Sequence, residues 1–256
     1  EEKEILQGFL WVFDNEISHL KHRPNDKSEW KNENLSECTV QDGSAVEVYT
    51  KAGGFLGTGI INRKSKITIR LIGNEHADQI FEDIDAYWEN KVRNAYEMRR
   101  MYYSELDSYR LIFGEADLIP GFICERFCDE KNRVFLVVQF LSLSCEVFRE
   151  EILRALNKIC SPDGIYERSD ASVRDKEGLP QTAGWVGEKF DTKITIIEND
   201  IKLGVDIANG QKTGYFLDQK FNRAAVAQFC KDKRVLDTFQ HTGAFGLNAA
   251  KAGAKE

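Results

Sequence analysis

The sequence predicts a multi-domain α/β protein, and three observations support this prediction. The chain has 256 residues, more than the roughly 100–200 of a typical domain. Hydrophobic residues make up 42% and charged residues 30% of the chain, a composition that can bury ordinary cores. The local pattern also changes along the chain, so we expect a β-rich module (1–72), a connector helix with an α+β domain (73–193), and a hairpin that opens a nucleotide-binding α/β domain (194–256).

The first segment is predicted to be rich in strands. Two stretches, 45–50 (AVEVYT) and 66–72 (KITIRLI), are rich in β-branched residues. In each of them apolar residues either alternate with polar ones or follow one another, which is typical of strands. Between them lies the glycine-rich stretch GGFLGTG at 53–59. It is not followed by a helical pattern, so it predicts a hairpin or bulge rather than a phosphate-binding loop.

A helical connector is predicted next, within residues 73–107. Apolar residues recur at helical spacing, among them Ile80, Ile84, Trp88 and Val92. Neither proline nor glycine occurs between Asn74 and Phe113. The connector is therefore expected to be rigid.

The middle segment has a mixed pattern. Two strands are predicted within 110–127 and 134–144, with a turn at Pro120–Gly121 in the first of these stretches. A helix is predicted over 147–160, and another strand begins at Gly164. An α+β domain with a sheet follows from this order.

The last segment begins with a hairpin pattern at 193–207, whose turn is predicted at Glu198–Asp200. A helix is expected over 216–230, a short buried strand over 233–239, and a second helix from Gly243. A strand, a tight glycine turn and a helix are the opening unit of a nucleotide-binding α/β domain.

Two glycine-containing stretches in this segment were tested against phosphate-binding patterns. NGQKTG at 209–214 resembles the end of a P-loop, but Gln211 and Asp206 occupy the positions that require glycine. The turn VLDTFQHTGAFG at 235–246 lacks GxGxxG. In NAD-binding proteins an acidic residue about 20 residues after the turn binds the ribose. This sequence has none at that position, which disfavours an NAD-dependent oxidoreductase. A ligand without phosphates fits this turn better.

S-adenosylmethionine is such a ligand. Asp237 would stand at the end of the strand, Gly243 at the turn, and Phe239 and Phe245 would flank it as an apolar wall. The alternative is plain packing of the strand against the helix. In the preceding stretch QKTGYFLDQKFNR, Asp218 and Arg223 either contact a ligand or form a helix-terminal ion pair.

The charge and the apolar pattern limit the partners. The net charge of −7 argues against an indiscriminate polyanion binder. The acidity is concentrated in residues 73–193, which hold 24 acidic and 16 basic groups, so the two ends remain compatible with contacts to nucleic acid. No apolar stretch approaches membrane-spanning length and no signal peptide is visible, so no membrane partner and a cytoplasmic location are predicted.

The cysteines predict neither disulfides nor a metal site. Six are spread along the chain, and we interpret them as reduced. Cys124 and Cys128 form a CxxxC without a matching histidine pattern, so packing is favoured over zinc. The expected metal content is none.

Five stretches together resemble a known bacterial family. They are GFLWVFDNEI at 8–17, FGEADLIPGFICERF at 113–127, GIYERSDASVRDKEGL at 164–179, NGQKTGYFLDQKFNR at 209–223 and VLDTFQHTGAFGLNAAKAGA at 235–254. In the same order, they resemble the S-adenosylmethionine-dependent methyltransferases of large-subunit ribosomal RNA that carry an N-terminal PUA domain. The two C-terminal motifs are the most specific.

The resemblance implies a PUA β-barrel that binds RNA, a central α+β domain and a Rossmann-like methyltransferase domain. It implies ribosomal RNA as the partner and S-adenosylmethionine as the cofactor, and a homodimer is a further expectation. It places Trp11 in the PUA fold, where we favour core packing over base stacking. The implied cofactor-binding residues are Thr213, Phe216, Asp218, Gln219, Arg223, Asp237, Phe239, Thr242, Gly243 and Phe245. Gln240 and His241 replace a pair often seen as Ser-Tyr, and we interpret His241 as a tolerated loop residue.

The implied reaction is 5-methylcytosine formation in 23S rRNA, which requires a cysteine thiolate to activate the base. In the family this cysteine and an Asp-Pro-Pro loop lie well after the first motif, so we expect them downstream of Glu256 and leave the catalytic residues unknown. The chain lacks an initiator Met and stops where a second strand is due. We therefore expect a truncated methyltransferase domain, and a fragment that is inactive alone. Guanine-N7 methylation and a noncatalytic RNA-binding protein are the alternatives.

Overall fold

The computed structural model describes residues 2–23 and 28–256. Within these ranges the chain forms a four-stranded and a five-stranded sheet, two separate two-stranded pairs, and helices that pack around them. No helix in the described ranges is long and apolar enough to cross a bilayer.

The N-terminal region is built mainly from antiparallel strands. Its elements are α1 (Glu2–Leu6), β1 (Trp11–Phe13), β2 (Leu20–His22), β3 (Lys31–Glu33), β4 (Ala45–Tyr49), β5 (Phe55–Ile61) and β6 (Ile67–Gly73). The four-stranded sheet has the order β1-β6-β5-β4, and β2 pairs with β3 alone. The described strands leave this sheet open, so the closed barrel is not confirmed.

The stretch GGFLGTG forms the start of β5, as the hairpin prediction required. Two of its glycines lie against the neighbouring strand. A Cβ atom at Gly57 or Gly59 would lie 2.6 Å from the carbonyl oxygen of Gly73 or Arg70, respectively. These glycines therefore allow two strands to approach each other closely, and they do not form a phosphate-binding loop.

The connector contains two helices, α2 (Ala77–Glu82) and α3 (Ile84–Arg100), where one was predicted. The break is at Asp83, whose carboxylate accepts a hydrogen bond from the amide of Ala86 at 2.9 Å and caps α3. Trp88 and Val92 are fully buried. α3 packs on a helix of the middle domain, so the connector is part of that core.

The middle region holds the larger sheet. Its elements are β7 (Tyr109–Phe113), β8 (Phe122–Cys128), β9 (Val134–Phe140), α4 (Leu143–Glu146), α5 (Arg149–Cys160), β10 (Gly164–Ser169), α6 (Val173–Glu177) and β11 (Thr182–Val186). The order is β11-β10-β9-β8-β7, and only β9 and β10 run parallel. The predicted strands and α5 are present, although β9 ends at Phe140 rather than at 144. The elements α4, α6 and β11 were not predicted.

Both faces of this sheet are covered. Leu136 and Val138 of β9 face a core that includes α3 and α5, whereas Phe135 and Val137 face a second core. That second core contains β12 (Lys193–Glu198) and β13 (Ile201–Asp206), which form the predicted hairpin. Asn199 and Asp200 occupy its turn with φ of +51° and +53°, the conformation of a tight two-residue hairpin turn.

The chain ends with α7 (Lys220–Ala227) and α8 (Ala244–Lys251). The buried strand predicted over 233–239 is wrong, because the structure assigns no strand there and Leu236 is 87% exposed. A strand needs neighbours for its backbone groups. The amide of Lys255 donates to the carbonyl of Lys233 at 2.8 Å and that of Val235 to Glu256 at 2.6 Å, but no described strand flanks the segment.

The N-terminal and middle regions meet at a buried polar cluster. Glu177 of α6 accepts hydrogen bonds from Asn62 at 3.1 Å, Ser65 at 2.6 Å and Arg70 at 3.1 Å. Trp11, half-buried, donates from Nε1 to Glu115 at 2.8 Å. Trp11 therefore lies at the junction of the two regions rather than within one core.

Candidate functional site

The loop at 209–216 joins the β12–β13 hairpin to the helical end of the chain. Thr213 is buried there, and its hydroxyl donates to the carboxylate of Glu125 on β8. Arg110 on β7 donates to the other oxygen of Glu125, with Nε at 3.0 Å. The Thr213 hydroxyl is thus engaged inside the protein, where it positions the loop against the middle sheet.

Arg223 on α7 also makes internal contacts. Its guanidinium forms two hydrogen bonds with Glu198 at 2.6 and 2.8 Å, and each of the two side chains is only 3% exposed. Tyr215 donates to the same carboxylate at 3.0 Å, and burial raises the pKa of its hydroxyl. The sequence left open whether Arg223 pairs with Asp218. In the structure Arg223 pairs with Glu198 instead.

Asp218 and Gln219 lie at the surface, in the single turn (Leu217–Gln219) that precedes α7. Gln219 donates from Nε2 to Asp218 at 2.9 Å. Although partial burial opposes it, this hydrogen bond and the charge of Lys212 lower the pKa of Asp218. Asp218 is therefore an ionised, accessible carboxylate.

The turn before α8 is organised by Asp237. Its Oδ2 accepts a hydrogen bond from the amide of Gly246 in the first turn of the helix at 2.9 Å. A Cβ atom at Gly246 would lie 3.2 Å from this oxygen. Gly243 precedes the helix with φ of +71°, a conformation that favours glycine. Thr242, partly buried, adjoins it.

The two predicted segments converge in space. The ring of Phe216 meets that of His241 edge-on at 5.1 Å, and the Lys212 ammonium lies 4.3 Å from the Phe216 centroid. The guanidinium of Arg223 lies 5.9 Å from the centroid of Phe245. Phe239, by contrast, is fully exposed with φ of +57° and is not brought into this cluster.

This arrangement can bind a small molecule with both polar and apolar parts. Aromatic faces attract a cation such as a sulfonium and stack with a base. The N-terminal end of α8 favours a carboxylate, and Asp237 already occupies the amide of Gly246 there. Two surface depressions of about 470 and 600 Å³ lie elsewhere, on α2–α3 and beside β6.

Four cysteines are unsuited to act as nucleophiles. Burial raises the pKa of Cys145 to about 11 and that of Cys160 to about 12. It also raises the pKa of Cys124 and Cys128. A neutral thiol is a poor nucleophile. The burial of Cys124 and Cys128 agrees with the packing interpretation of the CxxxC.

Sequence reasoning missed the two carboxylates that organise the site, Glu125 and Glu198. For Glu198 a signal existed, because it shares a strand face with Ile194 and Ile196, both buried. A charge in register with buried apolar residues indicates a buried partner. Glu125 offered no comparable signal, since nearly every residue of β8 is buried.

Comparisons with known proteins agree with this organisation. A family model described as a PUA-like domain matches residues 1–74, and one described as an S-adenosylmethionine-dependent methyltransferase matches residues 129–256. Proteins named ribosomal RNA large subunit methyltransferase I from Tolumonas auensis and Aeromonas salmonicida are 35% and 36% identical over 100% of this chain. The chain spans 59% of the length of each.

Solved structures share the fold. A protein described as a candidate SAM-dependent methyltransferase from Streptococcus mutans aligns with a TM-score of 0.71 at 22% identity, over 99% of this chain and 59% of its own. A candidate methyltransferase solved in complex with SAH aligns with a TM-score of 0.72 at 22% identity, over 99% of this chain and 58% of its own. Since the methyltransferase model matches half of the chain and a PUA-like domain precedes it, the chain belongs to the S-adenosylmethionine-dependent methyltransferase family.

Proposed function

We propose that the protein is an S-adenosylmethionine-dependent methyltransferase of large-subunit ribosomal RNA, and that its product is 5-methylcytosine in 23S rRNA. The relatives that align over the whole chain carry the rRNA methyltransferase name, which supports the substrate class. The choice of base rests on the resemblance of the two C-terminal motifs. A homodimer and a cytoplasmic location stay predictions.

The observation that carries this proposal is the contact between the 209–223 and 235–246 segments. Phe216 meets His241 and Arg223 approaches Phe245, so two stretches predicted separately to bind one cofactor form one cluster. We propose as the cofactor site the predicted residues Thr213, Phe216, Asp218, Gln219, Arg223, Asp237, Thr242, Gly243 and Phe245. Phe239, which is exposed and lies outside the cluster, stays a prediction. Within it, Thr213 and Arg223 act by positioning, through Glu125 and Glu198.

The domain division that we propose is a PUA-like RNA-binding domain (1–72), a connector and central α+β domain (73–193), and the hairpin with the start of the methyltransferase domain (194–256). The separate sheets of the first two parts support it. RNA would contact the N-terminal domain, while the last part holds the cofactor.

The chain's own residues would bind and orient the cofactor. S-adenosylmethionine, when bound, supplies an electrophilic methyl group on its sulfonium. Phe216 and Phe245 would shield the apolar side of the site from water, and Asp237 would hold the start of α8 in place. Methylation at C5 of cytosine also needs a thiolate. Since burial keeps four of the cysteines protonated, we assign none of them this role.

Titration calorimetry with S-adenosylmethionine tests the cofactor site. Asp237→Ala and Asp218→Ala should each weaken binding by about 10–100-fold, as expected for loss of a charged hydrogen-bonding group. Asp200→Ala is the matched control, because this exposed carboxylate lies on the β12–β13 turn and contacts only Lys251 among the described contacts. Unchanged binding in both test variants would refute the site.

Mass spectrometry of nucleosides tests the base. Because this chain is expected to be inactive alone, the full-length gene product is incubated with unmodified 23S rRNA and labelled S-adenosylmethionine, and the RNA is then digested. Labelled 5-methylcytidine is the expected product. Labelled 7-methylguanosine would replace the cytosine proposal with guanine-N7 methylation, and RNA binding without label would indicate a noncatalytic RNA-binding protein.

A further inference from the structure

A cluster of three side chains that can ligate a metal lies on the N-terminal region, far from the proposed cofactor site in sequence. In the β2–β3 pair, Leu20 is opposite Glu33 and His22 is opposite Lys31. His22 and Glu33 therefore lie on the same face of the pair. The carbonyl of Asn34 accepts hydrogen bonds from the amides of Glu37 and Cys38, both at 3.0 Å. This turn returns Cys38 to the same face.

The three side chains bring one donor atom each to one place. The His22 imidazole, the Glu33 carboxylate and the Cys38 thiol have ligand atoms that all lie within 4.8 Å of one another. His22 Nε2 is 2.8 Å from Glu33 Oε2. Cys38 is 4% exposed, while the side chains of His22 and Glu33 are 13% and 22% exposed. The cluster is thus largely shielded yet open on one side.

The donor atoms are available for a cation. His22 Nε2 is buried and, within the described residues, makes no contact with hydrogen-bond geometry, although it lies close to Glu33. A buried nitrogen without a hydrogen bond is costly. The amide of Thr39 donates to Glu33 Oε2 at 3.3 Å, which helps to hold the carboxylate in place. The amide of Val40 donates to Cys38 Sγ at 3.5 Å and so helps to hold the sulfur in place.

We propose that His22, Glu33 and Cys38 bind a divalent transition metal of the zinc type. Imidazole nitrogen, carboxylate oxygen and thiolate sulfur are the ligands that zinc takes in proteins. Bond lengths of about 2.0–2.3 Å place ligand atoms of a tetrahedral site roughly 3.3–3.7 Å apart. The distance between His22 Nε2 and Glu33 Oε2, 2.8 Å, is shorter than this, and all three ligand atoms lie within 4.8 Å of one another, so small shifts of the side chains would bring them to these distances. Three protein ligands leave a fourth position for water.

Binding involves no redox change. A bond forms between the metal and Cys38 Sγ, and the thiol proton passes to solvent. The ion would link the β2–β3 pair to the following loop and so fix that part of the N-terminal domain. The sequence predicted no metal because positions 22, 33 and 38 match no common zinc spacing, whereas the turn at Asn34 brings them together.

Cobalt titration tests the proposal independently of methyl transfer. The metal-free protein is titrated with Co²⁺ under reducing conditions and followed by absorption. We expect one equivalent of Co²⁺ to produce a thiolate-to-cobalt charge-transfer band and the visible bands of a tetrahedral site, and Zn²⁺ to displace both. Absence of these bands would overturn the proposal and leave His22 and Glu33 as a simple ion pair.

Variants assign the ligands. Cys38→Ser should remove the charge-transfer band. It should also lower the affinity for the metal by at least about 100-fold, because the loss of a residue that only supports a ligand already lowers it by about 10–100-fold. His22→Gln should retain the band and weaken binding similarly. Cys230→Ser, a buried cysteine outside the cluster, is the matched control and should leave the titration unchanged. A band that persists in Cys38→Ser would overturn the assignment, while circular dichroism verifies that each variant is folded.

Discussion

Two apolar stretches of the chain differ sharply in outcome. Val134–Phe140 (VFLVVQF) forms β9, which is flanked by β8 and β10 and buried on both faces. The stretch 233–239 (KRVLDTF) was also predicted to be a buried strand, yet it forms none and leaves Leu236 and Phe239 exposed. The apolar pattern is present in both, but only the first has strands beside it.

The difference teaches that an apolar run specifies a strand only together with its neighbours. Backbone groups of a strand need partners as much as its side chains need a core. In the middle sheet, neighbouring strands of the described chain supply the hydrogen-bond partners and the apolar core. Packing within this region should therefore provide most of its stability. The C-terminal stretch should contribute little, and substitutions in the two regions can test this contrast.

The largest effect is expected at Trp88 in the core beneath the middle sheet. Its side chain is fully buried, with the Phe148 ring 5.0 Å away. Trp88→Ala should lower the free energy of unfolding by about 3–5 kcal/mol, because it leaves a large cavity. Urea unfolding followed by circular dichroism measures this change.

Phe229 is the matched aromatic residue of the C-terminal region, where its side chain is largely exposed. Phe229→Ala should change the same free energy by less than about 0.5 kcal/mol. A loss above roughly 2 kcal/mol would mean that the C-terminal surface is covered in solution, and the contrast between the two regions would fail.

An intermediate effect is expected at the buried pair that holds α7 against the β12–β13 hairpin. Glu198→Gln removes the negative partner of Arg223 but keeps one acceptor, so it should cost about 2–3 kcal/mol. Glu130→Gln is the control, since Glu130 pairs with the exposed Lys202 and should contribute at most about 1 kcal/mol. Equal losses in the two variants would show that the Glu198 pair is not shielded from water.

Much of the fold was predictable because its signals are local. The β12–β13 hairpin follows from alternation and from two turn residues that tolerate positive φ, Asn199 and Asp200. The end of α5 at Cys160 follows from the Ser161–Pro162 pair. Asp83 was less visible, because a single capping aspartate inside a helical pattern resembles a surface residue. β11 was missed because most of its residues are half-buried or exposed.

The candidate site was predictable only in part. The motifs at 209–223 and 235–246 identified the two segments that meet, and Phe216 contacts His241 across them. The pairing of Thr213 with Glu125 was not predictable, since Glu125 lies on a strand of a different sheet. The register of Glu198 indicates a buried partner but does not identify it as Arg223. Contacts of this kind depend on tertiary packing, which one sequence does not specify locally.

A smaller effect is expected at Asp129, which directly follows β8 and whose backbone forms an isolated bridge with Ile196 of the hairpin. Its Oδ1 accepts hydrogen bonds from the amides of Lys131 and Arg133, both at 2.9 Å, and its Oδ2 accepts two from the Arg133 guanidinium, at 2.9 and 2.7 Å. Burial alone would raise the pKa of Asp129, but these hydrogen bonds outweigh it and hold the pKa below the usual 3.8. Asp129→Asn should therefore cost about 1 kcal/mol at neutral pH.

The pH dependence of this difference is a sharper test than its size. The pKa of Asp129 is lower in the folded protein than in the unfolded chain, so the unfolded chain binds the proton more readily. The stabilisation by Asp129 is therefore complete above pH 3.8, and it is lost as the pH falls through the pKa of the folded state. The difference in urea midpoint between the wild-type protein and Asp129→Asn should therefore shrink only below the usual pKa. The exposed Asp200→Asn variant serves as the control and should show a small difference throughout. A difference for Asp129→Asn that already disappears well above pH 3.8 would mean that Arg133 and the two amides do not hold the carboxylate in its ionised form.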